Sequence, residues 1–357
     1  MQIQNFTILR DGPPFIMAEI GVNHDGDVAI GRQLVHAAHH ARCDAVKFQL
    51  FRANLLLSRQ AELVEYQKSA AASAEELLAA LELSEEHMAT LIAEAHALGM
   101  AAVVTPFSVP LVATCVRMKP DALKLASPDL VNRPLVEAAA ATGLPLILST
   151  GQATIEEITR TLEWLGNATD RTIFLHCVSS YPTPADQATL GAITAMRQAW
   201  PHMRIGYSDH TTDTVTGALA VAAGACLLEK HLTLGKSRKG PDHAASLEPL
   251  EMTQYAWHAR QAFAMRGPFE KRPNAIELEV RQQSRQSVCM VRDLPSGTIL
   301  DATMLTVKRP GTGVPAAEFS SVLGRRLIKP VQANSTLQWS DLETPKNSER
   351  TENQTEI

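Results

Sequence analysis

Eight short apolar runs recur along the first three-quarters of the chain, separated by amphipathic stretches. Several of these stretches start at Ser, Thr or Asp and end at Gly, which is typical of capped helices. Continuous apolar strands that alternate with helices predict a parallel sheet covered on both faces. Eight such units in about 250 residues predict a (β/α)8 TIM barrel, an α/β fold. An open doubly wound sheet is the alternative, but no GxGxxG turn follows the first run. The runs begin at Phe15, Ala45, Met100, Ala122, Pro145, Thr172, Arg204 and Ala225.

The composition changes beyond the eighth unit. We predict a catalytic barrel over residues 1–268, a polar linker over 269–286, a small β-rich module over 287–343 and a disordered tail over 344–357. One long insertion, residues 54–82, is rich in alanine and helix-prone. We expect it to fold over the mouth of the barrel.

The net charge of −5 argues against a nucleic-acid partner, because binding a phosphate backbone requires a basic face. No apolar run approaches the roughly 20 residues that span a bilayer, so no membrane association is expected. The N-terminus also lacks the basic-then-apolar order of a signal peptide. The five cysteines show no CxxC spacing, which favours buried free thiols in a reducing compartment. These features predict a cytoplasmic protein.

Polar residues close all eight runs, and the active sites of TIM barrels form at the C-terminal ends of their strands. Lys47 and Lys124 stand within otherwise apolar runs. A buried lysine must be paired, since an isolated ammonium is costly to bury. One interpretation is an anion cradle that also contains strand-end hydroxyls. The other is pairing with internal carboxylates such as Glu19 or Glu229. The hydroxyl residues of the predicted cradle are Thr105, Ser127, Ser149 and Ser208.

Two histidines, His210 and His231, close the seventh and eighth runs, which are neighbours in a barrel. Imidazoles on adjacent strand ends can share a divalent metal and leave positions open for substrate. Manganese, magnesium, iron and zinc all suit such a site. Glu19 closes the first run and is a candidate general base or sugar ligand. Asp242 lies in a Gly- and Pro-rich loop suited to binding a polar substrate.

At these motifs the chain resembles the sialic acid synthase family, whose enzymes use phosphoenolpyruvate to make N-acetylneuraminate and related nonulosonic acids. The C-terminal stretches LTVKRPGTG and LGRRL resemble the antifreeze-like (SAF) domain that this family carries. The matching stretches in the barrel are EIGVNHDGD, VKFQ, TPFS, KLASPDL, LILSTG, LHCVSSYPTP, IGYSDHT, EKHLTL and GPDHAASLEP.

The resemblance implies condensation of phosphoenolpyruvate with an N-acylated amino sugar, assisted by a metal that is usually Mn²⁺ and proceeding with C–O cleavage. His210 and His231 would hold the metal. Arg309 would enter the site from a second subunit, which implies a homodimer with a swapped C-terminal domain. Lys47, Lys124, Thr105, Ser127, Ser149 and Ser208 would bind phosphoenolpyruvate, and Glu19, Gln49, Phe107, Tyr181 and Asp242 would contact the sugar.

Two positions depart from the pattern of the sialic acid synthases proper, which leaves the acceptor sugar open. Ser179 stands where asparagine is usual, and Leu50 stands where a polar residue often follows the glutamine. We expect both near the sugar. Synthases of legionaminic, pseudaminic or spore-coat sugars vary at these places. Two other functions are considered, a Schiff-base aldolase with a strand lysine as nucleophile and a non-catalytic carbohydrate-binding protein.

Overall fold

The computed structural model describes residues 1–58 and 73–344. The chain divides into two compact units, Met1–Pro268 and Phe269–Ile357. The first unit opens with a short antiparallel hairpin and continues into a closed barrel of eight parallel strands. The eight strands predicted from the apolar runs are therefore confirmed. The hairpin strands are β1 (Gln2–Ile3) and β2 (Phe6–Thr7), and the barrel strands are β3 (Phe15–Glu19), β4 (Ala45–Leu50), β5 (Ala101–Pro106), β6 (Ala122–Leu125), β7 (Leu146–Ser149), β8 (Thr172–Cys177), β9 (Arg204–Asp209) and β10 (Leu227–His231).

The barrel closes where the last strand pairs with the first. Five residue pairs join β10 to β3, from Leu227 opposite Phe15 to His231 opposite Glu19. Because all eight strands are parallel, their C-terminal residues gather at one rim. This closure places Glu19 beside His231, although more than 200 residues separate them in the sequence.

Helices follow the strands and pack outside the barrel. Several begin at the side-chain caps that the sequence predicts: Asp27, Ser84 and Thr154 each accept a hydrogen bond from a backbone N–H of the first turn. The helices of this unit are α1 (Val28–His40), α2 (Ala53–Leu56), α3 (Ala74–Leu81), α4 (Glu85–Ala97), α5 (Val109–Arg117), α6 (Arg133–Ala140), α7 (Ile155–Leu165), α8 (Gly191–Ala199), α9 (Thr216–Ala222) and α10 (Pro249–Arg266).

The hydrophobic core has two layers around the strands. Residues that point outward pack against the helices, whereas residues that point inward near the strand starts fill the lower barrel. Ile3 and Ile8 of the N-terminal segment join this inner cluster and are fully buried. The N-terminal end of the barrel is thus plugged by side chains, and space remains at the rim formed by the strand C-termini.

The second unit contains a helix and a small β-structure. Helix α11 (Ala275–Ser284) precedes the antiparallel strands β11 (Ser287–Met290) and β12 (Leu305–Lys308). A compact apolar cluster that includes Val288, Leu300 and Val314 holds the β-structure together. The stretch predicted as a linker is thus partly helical: Asn274 caps α11, and most of its side chains are exposed.

The insertion predicted at 54–82 is described in part. Its described residues include most of α2 and all of α3, while residues 59–72 lie outside the described part of the chain. Apart from Thr344, the predicted disordered tail also lies outside it. All five cysteines are free and buried, as predicted. Among the described residues no helix has the length and apolarity required to cross a bilayer.

Candidate active site

A cavity of about 440 Å³ opens at the rim formed by the C-terminal ends of the barrel strands. Alternation along each strand decides which side chains reach it, since successive residues point to opposite faces. On β4, Lys47 and Gln49 line the cavity, whereas Phe48 and Leu50 are fully buried in the outer core. The expectation that Leu50 lies near the sugar is therefore wrong, because its strand position turns it towards the helices.

Four ionisable groups, which we call the charge cluster, lie at the base of the cavity: Glu19, Lys47, Lys124 and Glu229. Lys47 contacts the carboxylate of Glu19, and its Nζ lies 3.6 Å from Oε1 of Glu229. Nζ of Lys124 lies 3.4 Å from Oε2 of Glu229. Each of the four side chains is at most 5% exposed. Two cations and two anions balance, so the cluster carries no formal net charge.

The charge cluster shifts the pKa values of its members in opposite directions. Burial lowers the pKa of Lys124, although the nearby Glu229 opposes this shift. Burial acts on Lys47 in the same sense, but Glu19 and Glu229 outweigh it and raise its pKa. Burial raises the pKa of Glu19. The pKa of Glu229 is lowered despite burial, because it faces both lysines. Glu229 is accordingly the carboxylate that remains charged between the two ammonium groups.

Hydroxyl groups surround the two lysines on neighbouring strands. Nζ of Lys47 donates to Oγ1 of Thr105 at 3.3 Å. Ser127, Ser149 and Ser208 line the cavity. Ser149 is 2% exposed, and its Oγ has no hydrogen-bond partner among the described residues. A buried hydroxyl without a partner is costly, so this position points to a polar ligand in the cavity.

The two histidines predicted as metal ligands meet in the same cavity. The ring centroids of His210 and His231 are 5.3 Å apart, and both residues are buried. Nδ1 of His210 lies 2.8 Å from the carbonyl oxygen of Val178. A carbonyl only accepts, so Nδ1 carries a proton and Nε2 is the ring nitrogen left for a ligand. Burial would lower the pKa of His210, but the neighbouring Cys177 outweighs it and raises the pKa.

The second imidazole is held neutral by its surroundings. Burial and the nearby cationic groups lower the pKa of His231 well below its usual value. Among residues 1–58 and 73–344, no group of three or more His, Cys, Asp and Glu side chains is arranged to hold a metal. Two imidazoles with ring centroids 5.3 Å apart suit a divalent ion that takes two protein nitrogens and leaves other positions to substrate and water.

Tyr181 and Asp242 lie next to the histidine pair and line the cavity. The Tyr181 ring lies 3.9 Å from that of His210, centroid to centroid. Oδ2 of Asp242 lies 3.5 Å from Nδ1 of His231, and burial raises the pKa of Asp242 to about 6. Gln49 donates to Oε1 of Glu19 at 3.2 Å. Polar groups for a hydroxylated ligand thus stand next to the histidines.

Most residues predicted for the site are brought together by the barrel. Glu19 and Thr105 contact Lys47 at the base. Arg309 follows β12 in the second unit and is exposed there, and its role in the site stays a prediction. The predicted residues that line the cavity are Lys47, Gln49, Phe107, Lys124, Ser127, Ser149, Ser179, Tyr181, Ser208, His210, His231 and Asp242.

Sequence reasoning missed three parts of the site. Glu229 was considered only as a possible ion-pair partner, yet it is shared by both lysines. The thiol of Cys177 lines the cavity, 3.9 Å from Nδ1 of His210. The third part is an apolar wall, which we define as the leucines of α2, α3 and their flanks that line the cavity. These are Leu56, Leu57, Leu77, Leu78 and Leu81. Side chains alternate along β10, so Glu229 and His231 point to the same side. This alternation could have revealed Glu229 from the sequence.

Comparison with known families decides the relationship that this geometry suggests. The NeuB family model matches residues 34–271, and the SAF domain model matches residues 285–343. The chain belongs to the NeuB family. It is 38% identical over 337 residues to the N,N'-diacetyllegionaminic acid synthase of Legionella pneumophila, a match that covers 92% of this chain and 94% of the relative. The C-terminal SAF domain predicted from the sequence is confirmed.

Solved structures of relatives support the same assignment. The N-acetylneuraminic acid synthetase of Leptospira borgpetersenii, solved in complex with citrate, is 31% identical with a TM-score of 0.72, over 78% of this chain and 94% of the relative. A putative spore coat polysaccharide biosynthesis protein E from Chromobacterium violaceum is 27% identical with a TM-score of 0.79. This match covers 93% of this chain and 100% of the relative. Since family members are named as synthases, this NeuB-family chain is an enzyme.

Proposed function

We propose that this NeuB-family enzyme condenses phosphoenolpyruvate with an N-acylated amino sugar to give a nonulosonic acid and inorganic phosphate. One observation carries the proposal: two buried lysines, strand-end hydroxyls and two imidazoles line a single cavity at the barrel rim. The lysines and hydroxyls suit a phosphorylated carboxylate. The imidazoles suit a metal that assists reaction at a carbonyl.

Phosphoenolpyruvate would bind at the base of the cavity, where the cations are. Its phosphate and carboxylate would be held by Lys47 and Lys124, with Ser149 donating its otherwise unpaired hydroxyl. Glu19 and Glu229 pair with the two lysines in the absence of substrate. An anion that enters the cavity replaces part of the pairing between the lysines and the carboxylates. The bottom of the cavity therefore favours anions over neutral ligands.

His210 and His231 would hold the metal, for which we propose Mn²⁺. When bound, such an ion acts as a Lewis acid that polarises the aldehyde oxygen of the acceptor. The chain itself fixes the orientation of one imidazole, since Nδ1 of His210 is hydrogen-bonded to the carbonyl of Val178.

The remaining residues would orient the acceptor above the enol. Gln49, Glu19 and Asp242 would bind the sugar's hydroxyl and amide groups and bring its C1 next to C3 of phosphoenolpyruvate. A C–C bond forms between these atoms as the C=O π bond of the aldehyde breaks, and the aldehyde oxygen takes up a proton to become a hydroxyl. Water adds to the cationic C2 and loses a proton, and the bond from C2 to the phosphate oxygen then breaks to give a keto group and inorganic phosphate. Holding two reactants in attack geometry can contribute several kcal/mol of the roughly 7–11 kcal/mol found for ideal orientation.

The apolar wall suggests which acceptor fits. Leu77 and Leu81 pack with Val22 and Phe51, so the side of the cavity formed by α3 offers few hydrogen-bond partners. A hydroxyl or phosphate pressed against it would be left unsatisfied, whereas methyl groups would gain from burial. We therefore propose a 6-deoxy sugar with two acylamino groups as the preferred acceptor. The N,N'-diacetyl product in the name of the Legionella relative supports this choice.

We further propose a homodimer in which Arg309 reaches the cavity of a second copy of the chain, and a cytoplasmic location. The SAF domain at residues 285–343 supports the first proposal, because it resembles the module that delivers an arginine in this family. The five free, buried thiols support the second. Sedimentation velocity on the intact protein tests the dimer, which a monomer at micromolar concentration would contradict.

The experiment that tests the function measures phosphate release from phosphoenolpyruvate with Mn²⁺ and a panel of acceptors. The panel contains N-acetylmannosamine, its 6-phosphate and 2,4-diacetamido-2,4,6-trideoxymannose. We expect the last to give the highest kcat/KM, and Lys124→Met to abolish turnover. A second variant, Leu78→Asn, tests the apolar wall. It should raise KM for the deoxy acceptor, while KM for phosphoenolpyruvate, the internal control, is unchanged. No release with any acceptor would contradict the proposal.

The alternative enzyme function, a Schiff-base aldolase, predicts a different result. Borohydride added with pyruvate would trap a covalent adduct on Lys47 or Lys124 in an aldolase. We expect no adduct, since the ammonium groups of both lysines are paired with the carboxylates of Glu19 and Glu229. A non-catalytic binding protein would bind the sugar and release no phosphate. Such a protein would also not require two imidazoles beside a buried anion site.

A further inference from the structure

A second buried ion pair lies directly behind the histidines, on the outer face of the barrel. Asp209 and Lys230 are opposite each other in the pairing of β9 with β10. Both side chains are 0% exposed, and Nζ of Lys230 lies 3.1 Å from Oδ1 of Asp209. Each immediately precedes one of the two histidines. Neither residue lines the cavity, so neither contacts substrate.

Lys230 also binds the turn that follows β9. Its Nζ donates to the carbonyl oxygen of Thr211, and it lies 3.3 Å from Oγ1 of the same residue. Oδ1 of Asp209 accepts from the backbone N–H of Thr211 at 2.9 Å and from its hydroxyl at 2.8 Å. The ammonium group of Lys230 on β10 therefore binds the turn after β9, which contains His210, from the outer face of the barrel.

A buried ion pair is a weak source of stability, because the cost of desolvating both charges offsets their attraction. A pair of apolar residues would fill this layer between sheet and helices at least as well. The pair is better explained by its geometry. Charged hydrogen bonds depend on direction, so they fix the relative position of the two strand ends in a way that apolar packing does not. The backbone atoms fixed here flank His210 and His231.

We infer that the Asp209–Lys230 pair positions the two imidazoles for metal binding, so that Lys230 and Asp209 are positioning residues of the site. The inference rests on the proposed metal site at His210 and His231. Groups that orient metal ligands without contacting the metal typically change its affinity 10- to 100-fold. Removing the tie between the two strands should therefore weaken Mn²⁺ binding while the barrel remains folded.

The experiment titrates the intact protein with Mn²⁺ alone and follows free Mn²⁺ by electron paramagnetic resonance. The informative variant is the double substitution Asp209→Asn with Lys230→Met. Asparagine keeps an oxygen for the N–H of Thr211, and methionine keeps much of the lysine's bulk without its charge. Because both charges are removed together, thermal stability should stay close to that of the wild type. We expect Kd for Mn²⁺ to rise at least about 10-fold.

A matched control separates positioning from general destabilisation. Arg197 is buried at the opposite end of the barrel, where it donates to the carbonyl of Gly224 at 2.9 Å. Arg197→Met should lower the melting temperature and leave Kd for Mn²⁺ unchanged. A folded double variant that binds Mn²⁺ as tightly as the wild type would overturn the inference. Wild-type protein that binds no Mn²⁺, or His210→Ala protein that binds it equally well, would instead overturn the metal site itself.

Discussion

Replacing Glu229 by glutamine tests how the four groups of the charge cluster are balanced. Glu229 is the carboxylate shared by Lys47 and Lys124, at 3.6 Å and 3.4 Å, and its side chain is 4% exposed. Glutamine keeps its shape but leaves two buried ammonium groups with one carboxylate. Removing one partner of a buried pair costs about 3–5 kcal/mol. At about 2–4 °C per kcal/mol for a unit of this size, the melting temperature should fall by about 10 °C.

Phosphate provides the second measurement on the same variant. The excess cation should bind an anion more tightly, and a ligand that binds only the folded state stabilises it by about 2.7 kcal/mol at 100 times its Kd. Inorganic phosphate should therefore raise the melting temperature of Glu229→Gln more than that of the wild type, in calorimetry at one pH.

The control for this variant is Glu137→Gln, which breaks the exposed ion pair with Arg133. A surface pair is worth about 0–1 kcal/mol, so the melting temperature should change by at most about 4 °C. If Glu229→Gln has the melting temperature of the wild type, or if phosphate stabilises the variant and the wild type equally, the charge cluster is not balanced as described.

Three further predictions concern a buried histidine, a cavity thiol and a close backbone contact. Burial lowers the pKa of His24 from 6.5 to about 4. Its contribution of about 3 kcal/mol to the free energy of unfolding is therefore present above about pH 6.5 and is lost as the pH falls towards about 4. Unfolding curves of His24→Asn should lose this pH dependence relative to the wild type. Iodoacetamide should label Cys177 before the other four cysteines, since its thiol lines the cavity; mass spectrometry should show slower labelling with phosphoenolpyruvate, and equal rates would refute this. Gly151→Ala would place a Cβ in steric conflict with Oγ of Ser179 and 2.7 Å from Oγ of Ser127. KM for phosphoenolpyruvate should therefore rise about 10-fold, or about 1.4 kcal/mol, in steady-state kinetics.

Much of the fold and the site could be predicted because the barrel imposes a simple rule on the sequence. Polar residues at the ends of buried parallel strands must share one rim, so the sequence alone predicts that Lys47, Lys124 and His231 lie together. The same rule, applied one residue further, would have corrected the error at Leu50. Since Gln49 faces the cavity, its neighbour must face outward.

The rest required coordinates because it depends on packing between distant segments. Nothing in the helix-prone sequence of α3 distinguishes leucines that line a cavity from leucines of an ordinary amphipathic helix. Leu77 and Leu81 form the apolar wall only because α3 packs near Val22 and Phe51. Likewise, Asp209 and Lys230 pair through the register of β9 with β10, which the sequence does not give.

The most direct test of the condensation follows the bridging oxygen of phosphoenolpyruvate. The substrate is labelled with ¹⁸O at the oxygen between C2 and phosphorus and incubated with Mn²⁺ and the preferred acceptor, and the products are analysed by mass spectrometry. We predict that the label leaves with phosphate and that an unlabelled nine-carbon acid forms only when acceptor is present. Label retained in the organic product, or phosphate released at the same rate without acceptor, would contradict the proposed condensation.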